Sequence, residues 1–217
     1  MTASDAGPYT PRAVALDWGG VFTVGTFDSR AVVALGRLIG ADARELEPTY
    51  LALMADFEAG TFDMAGFHQR FCAATGSSPE LGAFRGAFLG AVKERPEAYA
   101  LVAAMPQGVK LGMLSNNVPE LCDLVRDDPR LARLEAFVFS NEIGVRKPHQ
   151  RAYAALLSAL GAEPHELVFV DDNAANIAAA RELGIAGVLL DAEFPRRWRE
   201  AGPGIELPPA LAAARWA

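Results

Sequence analysis

Asp17, Ser115, Lys147 and the adjacent pair Asp171-Asp172 are the side chains of this sequence whose types and positions could do chemistry together. Asp17 ends the apolar run Ala-Val-Ala-Leu at 13–16 and opens a glycine turn, Asp17-Trp18-Gly19-Gly20-Val21. A carboxylate at the carboxyl tip of a buried strand is poorly placed to stabilise a fold and well placed to meet a ligand over the sheet edge. Ser115-Asn116-Asn117 follows the run 110–114 and offers a hydroxyl and amides at a strand-to-helix turn, suited to an oxyanion. Lys147 stands directly before Pro148, where a helix can begin. Two or three carboxylates at one mouth repel each other unless a cation neutralises them, and ligands made of oxygen alone point to Mg²⁺. Such a cation, with Lys147 and the Ser115 hydroxyl, would screen a phosphate and let the anionic Asp17 approach phosphorus in line. Taken singly, each motif has a plainer reading. Ser-Asn can be a turn or cap, Lys-Pro a solvated helix start, Asp171-Asp172 a cap with a first-turn acid, and Asp17 a turn residue. All four at successive strand ends, on one face, point to a shared site.

The elements that must position these groups follow from the hydrophobic pattern. Short apolar runs at 13–16, 110–114, 136–140, 167–170 and 186–190 predict five buried parallel strands. Helical patterns at 119–126, 148–160 and 173–183 separate the later ones, which implies right-handed βαβ units and a sheet covered on both faces. The expected fold class is therefore α/β, a Rossmann-like three-layer core of about five parallel strands. Residues 17–109 are too many for one crossover. Amphipathic patterns at 29–39, 43–57, 64–74 and 79–94 predict an all-helical insertion that would sit above the carboxyl ends of the strands as a cap or lid. The expected division is a core of 1–22 and 96–217 with a helical cap at 23–95. The tail after Pro195, with Pro203, Pro208 and Pro209, is expected to be irregular.

Composition narrows the partners. A net charge of −7 without a basic stripe argues against a nucleic-acid polyanion. No run reaches the roughly 18 to 20 apolar residues needed to cross a bilayer, and residues 1–12 lack the apolar core of a secretory signal. Cys72 and Cys122 have no ligand-like spacing and are expected to be reduced thiols in an apolar core, consistent with a cytoplasmic protein. Lysine occurs only at positions 93, 110 and 147, which singles out Lys147. His149 and His165 read as ordinary helix-entry residues, and oligomeric state is not legible.

The segments "AVALDWGGV" (13–21), "LGMLSNN" (111–117), "GVRKPHQRAY" (144–153) and "LVFVDDNAANIAAARELG" (167–184) together resemble the four motifs of the haloacid dehalogenase superfamily, in order and across almost the whole chain. Within the insertion, "DFEAGTFDMAGF" (56–67) is similar to the Glu-x-Gly cap loop of the subgroup that holds bacterial sugar-phosphate phosphatases and the epoxide-hydrolase phosphatase lobe. The resemblance implies a Mg²⁺-dependent phosphatase of a small phosphorylated metabolite. Asp17 would be the nucleophile that becomes an aspartyl-phosphate. Asp17, the Gly19 carbonyl and Asp172 would ligate the metal, with Asp171 acting through water or from behind. Ser115 and the Asn116 amide would bind the phosphoryl group, and Lys147 would pair with phosphate and nucleophile. Gly19 departs from the family pattern, which usually has Asp there as general acid and base. That loss is worth about 10² to 10⁴ in rate. It implies a slow enzyme or one selective for leaving groups that need little protonation, such as anomeric, acyl or aryl phosphates. Glu58 and His68 in the cap are the candidates to replace the missing acid. Two other functions fit the same fold: a catalytically impaired member that binds a phospho-ligand or protein partner, and a metal-free 2-haloacid dehalogenase, which the paired acids fit less well.

Overall fold

The computed structural model describes residues 11–190, so the expectation for the proline-bearing tail lies outside the described residues. Five strands, β1 (Ala13–Leu16), β2 (Lys110–Ser115), β3 (Ala136–Phe139), β4 (Leu167–Asp171) and β5 (Ala186–Leu189), form one sheet in the order β3-β2-β1-β4-β5, every pair parallel. The register sets Leu16 beside Met113 on one side and Val170 on the other. The tips of β1, β2 and β4 are therefore neighbours, and Asp17, Ser115 and Asp171 leave the sheet side by side.

Alternation along the strands creates the layers. Val14 and Leu16 of β1, with Leu111, Met113, Val168 and Val170, pack into one core together with α5 (Pro96–Ala104) and α6 (Pro119–Arg126). Ala13 and Ala15 face the opposite core with Leu114, Val138 and Phe169, under α8 (Gln150–Leu160) and α9 (Ala174–Glu182). Period-two side-chain alternation in strands buried on both faces requires this split. Gly112 belongs to it as well, since a Cβ there would stand 3.1 Å from Leu160 of α8.

Between β1 and β2 come α1 (Phe27–Ile39), α2 (Ala43–Glu58), α3 (Met64–Thr75) and α4 (Leu81–Leu89), packed around Phe57, Phe67, Phe71, Phe84 and Phe88, then α5. The pattern at 79–94 predicts one helix, whereas α4 covers only Leu81–Leu89. Residues beyond Gly90 turn back to run beside the outgoing chain: the Val24 amide donates to the Lys93 carbonyl at 2.8 Å and Thr23 bridges Glu94. That antiparallel return overrides a periodicity that would otherwise continue. Helix α5 has no counterpart among the expected elements, because its alanine-rich stretch lacks an amphipathic signature. Ser140, expected as the end of a strand, instead opens the one-turn helix α7 (Ser140–Ile143). Cys122 is buried as expected, but Cys72 is only half-buried, its Sγ 3.3 Å from His68 Nε2; both are free thiols.

Candidate active site

Lys147 is the hub of the site. It is almost fully buried, and its Nζ lies 2.8 Å from Asp17 Oδ1 and 2.7 Å from Asp171 Oδ2. Its position is set by a reciprocal clamp: the Lys147 amide donates to Asn116 Oδ1 at 2.7 Å, and Asn116 Nδ2 donates to the Lys147 carbonyl at 3.1 Å. Asn116 thus ties the loop after α7 to the tip of β2, so its side chain carries a role beside the one expected of its amide.

Asp171 is fully buried, and both of its oxygens are engaged. Oδ2 accepts from Lys147 and from Asn176 Nδ2, and Oδ1 accepts from the Asn173 amide. The Trp18 amide donates to Asp17 Oδ1 at 2.7 Å. Burial above all raises the Asp17 carboxyl to about 7; Lys147 opposes that shift, while Asp171 and Asp172 add to it. Asp172 is raised too, first by burial and then by Asp171. Burial alone would lower Lys147, but the two flanking carboxylates outweigh it and raise its pKa.

Carboxylate oxygens of Asp17, Asp171 and Asp172 all lie within 4.8 Å of one another. When ionised, three clustered carboxylates carry more negative charge than Lys147 offsets, and oxygen donors of this kind suit a hard divalent cation. The donor set therefore fits Mg²⁺.

The two glycines after Trp18 are not equivalent. Gly20 has φ +68° and a Cβ there would stand 1.8 Å from Asp172 Oδ2, so the chain must be bare where the carboxylate folds over it. Gly19 has no such constraint: its φ is not left-handed and a Cβ meets nothing within 4 Å. The missing acid is thus an omission the fold does not require. Gly20→Ala is expected to cost about 2 kcal/mol or more, from left-handed strain and displacement of Asp172, and Gly19→Ala about 0.5 kcal/mol or less. Urea unfolding of the two variants compares them directly.

A cavity of about 180 Å³ opens over the triad, walled by Asp17, Gly19, Lys147 and Asp172 from the core and by Asp28, Met54 and Glu58 from the helical insertion. Asn116, Asn117 and Arg146 are also in the wall; Ser115 and Asp171 lie behind it. The Ser115 hydroxyl donates its one proton to the Asn116 carbonyl over a long 3.4 Å, a contact it would leave to meet a phosphoryl oxygen. Asn117 Nδ2 is buried with no hydrogen-bond partner.

The two cap candidates separate. Glu58 reaches the cavity. Its Oε2 is 2.7 Å from Arg146 Nε, yet the N–H is not aimed at the oxygen, so both atoms are buried without a hydrogen bond. Burial pushes the Glu58 carboxyl up to about 7, opposed by Arg146 and helped by Asp28. His68 does not reach the cavity, which corrects its candidacy. Its Nε2 sits 2.8 Å from the Pro79 carbonyl and its ring meets Phe84 edge-on at 5.1 Å, so it braces the insertion internally.

Sequence reasoning passed over Arg146, Asp28 and Asn176. Arg146 was detectable only as the neighbour of Lys147. Asn176 falls one turn into α9, on the side facing Asp171, and helix phase could have found it. Asp28 depends on tertiary placement and leaves no local signal.

Residues 11–184 match the haloacid dehalogenase-like hydrolase family. The chain is 27% identical to mouse bifunctional epoxide hydrolase 2 over 107 residues, which is 44% of this chain and 18% of that protein. It is 36% identical to phosphatase MT3486 of Mycobacterium tuberculosis over 96 residues, 42% of this chain and 43% of that one. The matched part is thus less than half the length of either relative. Among solved structures, a HAD family enzyme of Bacteroides thetaiotaomicron in complex with magnesium and inorganic phosphate superimposes with a TM-score of 0.68 at 19% identity, covering 84% of this chain and 95% of that one, a likeness of fold.

Proposed function

The chain belongs to the haloacid dehalogenase-like hydrolase family, and from that premise we propose that it is a Mg²⁺-dependent phosphatase of small phosphomonoesters, acting through an aspartyl-phosphate on Asp17. The observation that carries this reading is the position of Lys147, buried between Asp17 and Asp171 at 2.8 and 2.7 Å. A fixed cation at the nucleophile is what an anionic carboxylate needs before it can approach an anionic ester. The relative named a phosphatase and the structural neighbour holding magnesium and phosphate support it.

Asp17, Asp172 and the Gly19 carbonyl would hold the metal, with Asp171 behind them fixing Lys147. When bound, the ion supplies charge neutralisation for the phosphoryl oxygens. The chain does the rest. Asp17 attacks phosphorus, Lys147 offsets charge on nucleophile and phosphate, and the Asn116 amide and Ser115 hydroxyl grip the phosphoryl oxygens. Residues 23–95 act as the cap that closes over the ester and shapes its alcohol half, and the 180 Å³ cavity suits a small phosphorylated metabolite. Gly19 brings no proton carrier, so turnover is slow or leaving-group-selective unless another group supplies the proton. The cytoplasm, rich in Mg²⁺ and reducing toward Cys72 and Cys122, suits the chemistry; among the described residues no helix is long and apolar enough to cross a membrane. A panel of phosphate esters assayed with Mg²⁺ and with chelator tests the proposal. Metal-dependent release of phosphate is expected. Binding of phosphate without turnover on any ester would instead indicate a binding protein.

Metal binding should couple to pH. Carboxylates must lose their protons to ligate, and Asp17 holds its proton to about 7. A carboxyl raised in the folded state stabilises the metal-free protein fully below its unfolded value near 3.9. That contribution is lost as pH rises through about 7. Mg²⁺ at about 100 times its Kd should add roughly 2 to 3 kcal/mol of stability at pH 8. At pH 5.5 the gain should be much smaller; thermal melts at both pH values measure it.

A further inference from the structure

Resting on the phosphatase reading, we infer that Glu58, presented by the cap, is the proton carrier that Gly19 fails to supply, acting as general acid to the leaving oxygen and then as general base to water. Outside the triad, Glu58 and Asp28 are the carboxyl groups that wall the cavity among the described residues. Asp28 is already committed, accepting from the Tyr50 hydroxyl at 2.9 Å. Glu58 Oε2 stands 2.7 Å from Arg146 Nε as an ion pair, but the N–H is not aimed along that contact, so the oxygen can still turn to a substrate.

The backbone around Glu58 is pinned to the core, which fixes where its side chain enters the cavity wall. The Ser140 hydroxyl donates to the Glu58 carbonyl. Two residues on, Gly60 has φ +73° and packs so closely that a Cβ would stand 2.2 Å from the Asn141 carbonyl. The last residue of α2 is thereby locked to the first turn of α7.

The electrostatic surroundings suit a group that must hold and release a proton. Asp28 from α1 and burial favour the neutral acid, while Arg146 and Lys147 from the core favour the anion; Tyr50 of α2 also lies in the carboxyl's field. The balance brings the carboxyl to about 7, near where a proton carrier is most effective.

The steps balance. An Asp17 oxygen bonds to phosphorus as the phosphorus–alkoxy bond breaks, and the leaving oxygen takes the Glu58 proton to depart as an alcohol. Glu58, now a carboxylate anion, takes a proton from water as the water oxygen bonds to phosphorus. The bond from Asp17 to phosphorus then breaks, which frees inorganic phosphate and leaves Glu58 protonated again. With this carrier in place, esters of unactivated alcohols such as small polyols join the activated esters as substrates.

Glu58→Gln, assayed on an alkyl phosphate and on 4-nitrophenyl phosphate, tests the assignment. Turnover of the alkyl ester is expected to fall about 10² to 10³-fold, while the aryl ester, whose alcohol leaves unprotonated, falls less than about tenfold. The wild-type decline of kcat/KM above pH 7 should flatten in the variant. Because Gly19 has room for a side chain, adding Gly19→Asp to Glu58→Gln should restore alkyl turnover at least about tenfold. In the metal-free protein, the Glu58 carboxyl followed by ¹³C NMR should titrate near 7. Equal losses on both esters, no loss on either, or a Glu58 midpoint at the ordinary value of about 4 would overturn the inference. Turnover surviving in Asp17→Asn would instead overturn the aspartyl-phosphate reading beneath it, so the two failures are distinct.

Discussion

Asp17→Asn should lower turnover of every phosphomonoester on the order of 10⁴-fold or more while leaving the protein folded. The amide is nearly the same size, and its oxygen can still accept from the Trp18 amide and from Lys147 Nζ, the contacts that Asp17 Oδ1 makes at 2.7 and 2.8 Å. What it removes is the nucleophile and one charge of the metal triad. It also removes a buried acid whose proton is held to about 7, so stability at pH 8 should hold or rise. Steady-state kinetics beside a thermal melt separates the two effects. Loss of activity with an unchanged or higher melting temperature places the residue in the chemistry, and loss of both would make it a structural carboxylate.

Lys147→Met should do the opposite to stability. The amine neutralises two carboxylates in a dry environment, and removing one partner of such a buried set costs about 3 to 5 kcal/mol because the remaining charges have no compensation. The loss should depend on pH in a set direction. Without the amine, Asp17 rises further above its unfolded value, and a raised carboxyl loses its stabilising contribution as pH increases through the folded pKa. The variant should therefore approach the wild type near pH 5 and fall furthest behind at pH 8. Turnover should be abolished as well, since nothing then offsets the repulsion between Asp17 and the phosphate. Denaturant unfolding at the two pH values gives the comparison, and a pH-independent loss would point to packing of the methylene stem.

The core and the centre of the site were legible in the sequence because both depend on short-range patterns. Apolar runs gave the strands to within a residue at each end, and a polar group directly after a buried parallel strand has nowhere to go but the mouth of the sheet. Asp17 and Asp172 follow from that logic, whereas Lys147 comes only after α7 and Asp171, the last residue of β4, stays fully buried behind the mouth. What stayed hidden depends on long-range placement. The chain beyond Gly90 reads as helix because its periodicity persists, yet the antiparallel return beside 23–24 wins the backbone hydrogen bonds. His68 and Glu58 look alike as titratable cap residues, and only the packing of Phe84 and Pro79 takes one of them away from the cavity. Gly19 and Gly20 are indistinguishable as letters; the fold of Asp172 over Gly20 makes one obligatory and the other replaceable. Arg146 acquires its role from a partner 88 positions earlier in the chain, Glu58, and no local pattern could announce that.

The central claim is that Asp17 becomes covalently phosphorylated, and acid quenching during turnover tests it most directly. Protein mixed with Mg²⁺ and a phosphate ester, stopped in acid and digested, should carry a phosphoryl group on the peptide containing residues 13–18, at Asp17, and the adduct should vanish in Asp17→Asn and with chelator. A phosphoryl group on another residue, or undiminished turnover in Asp17→Asn, would contradict the account.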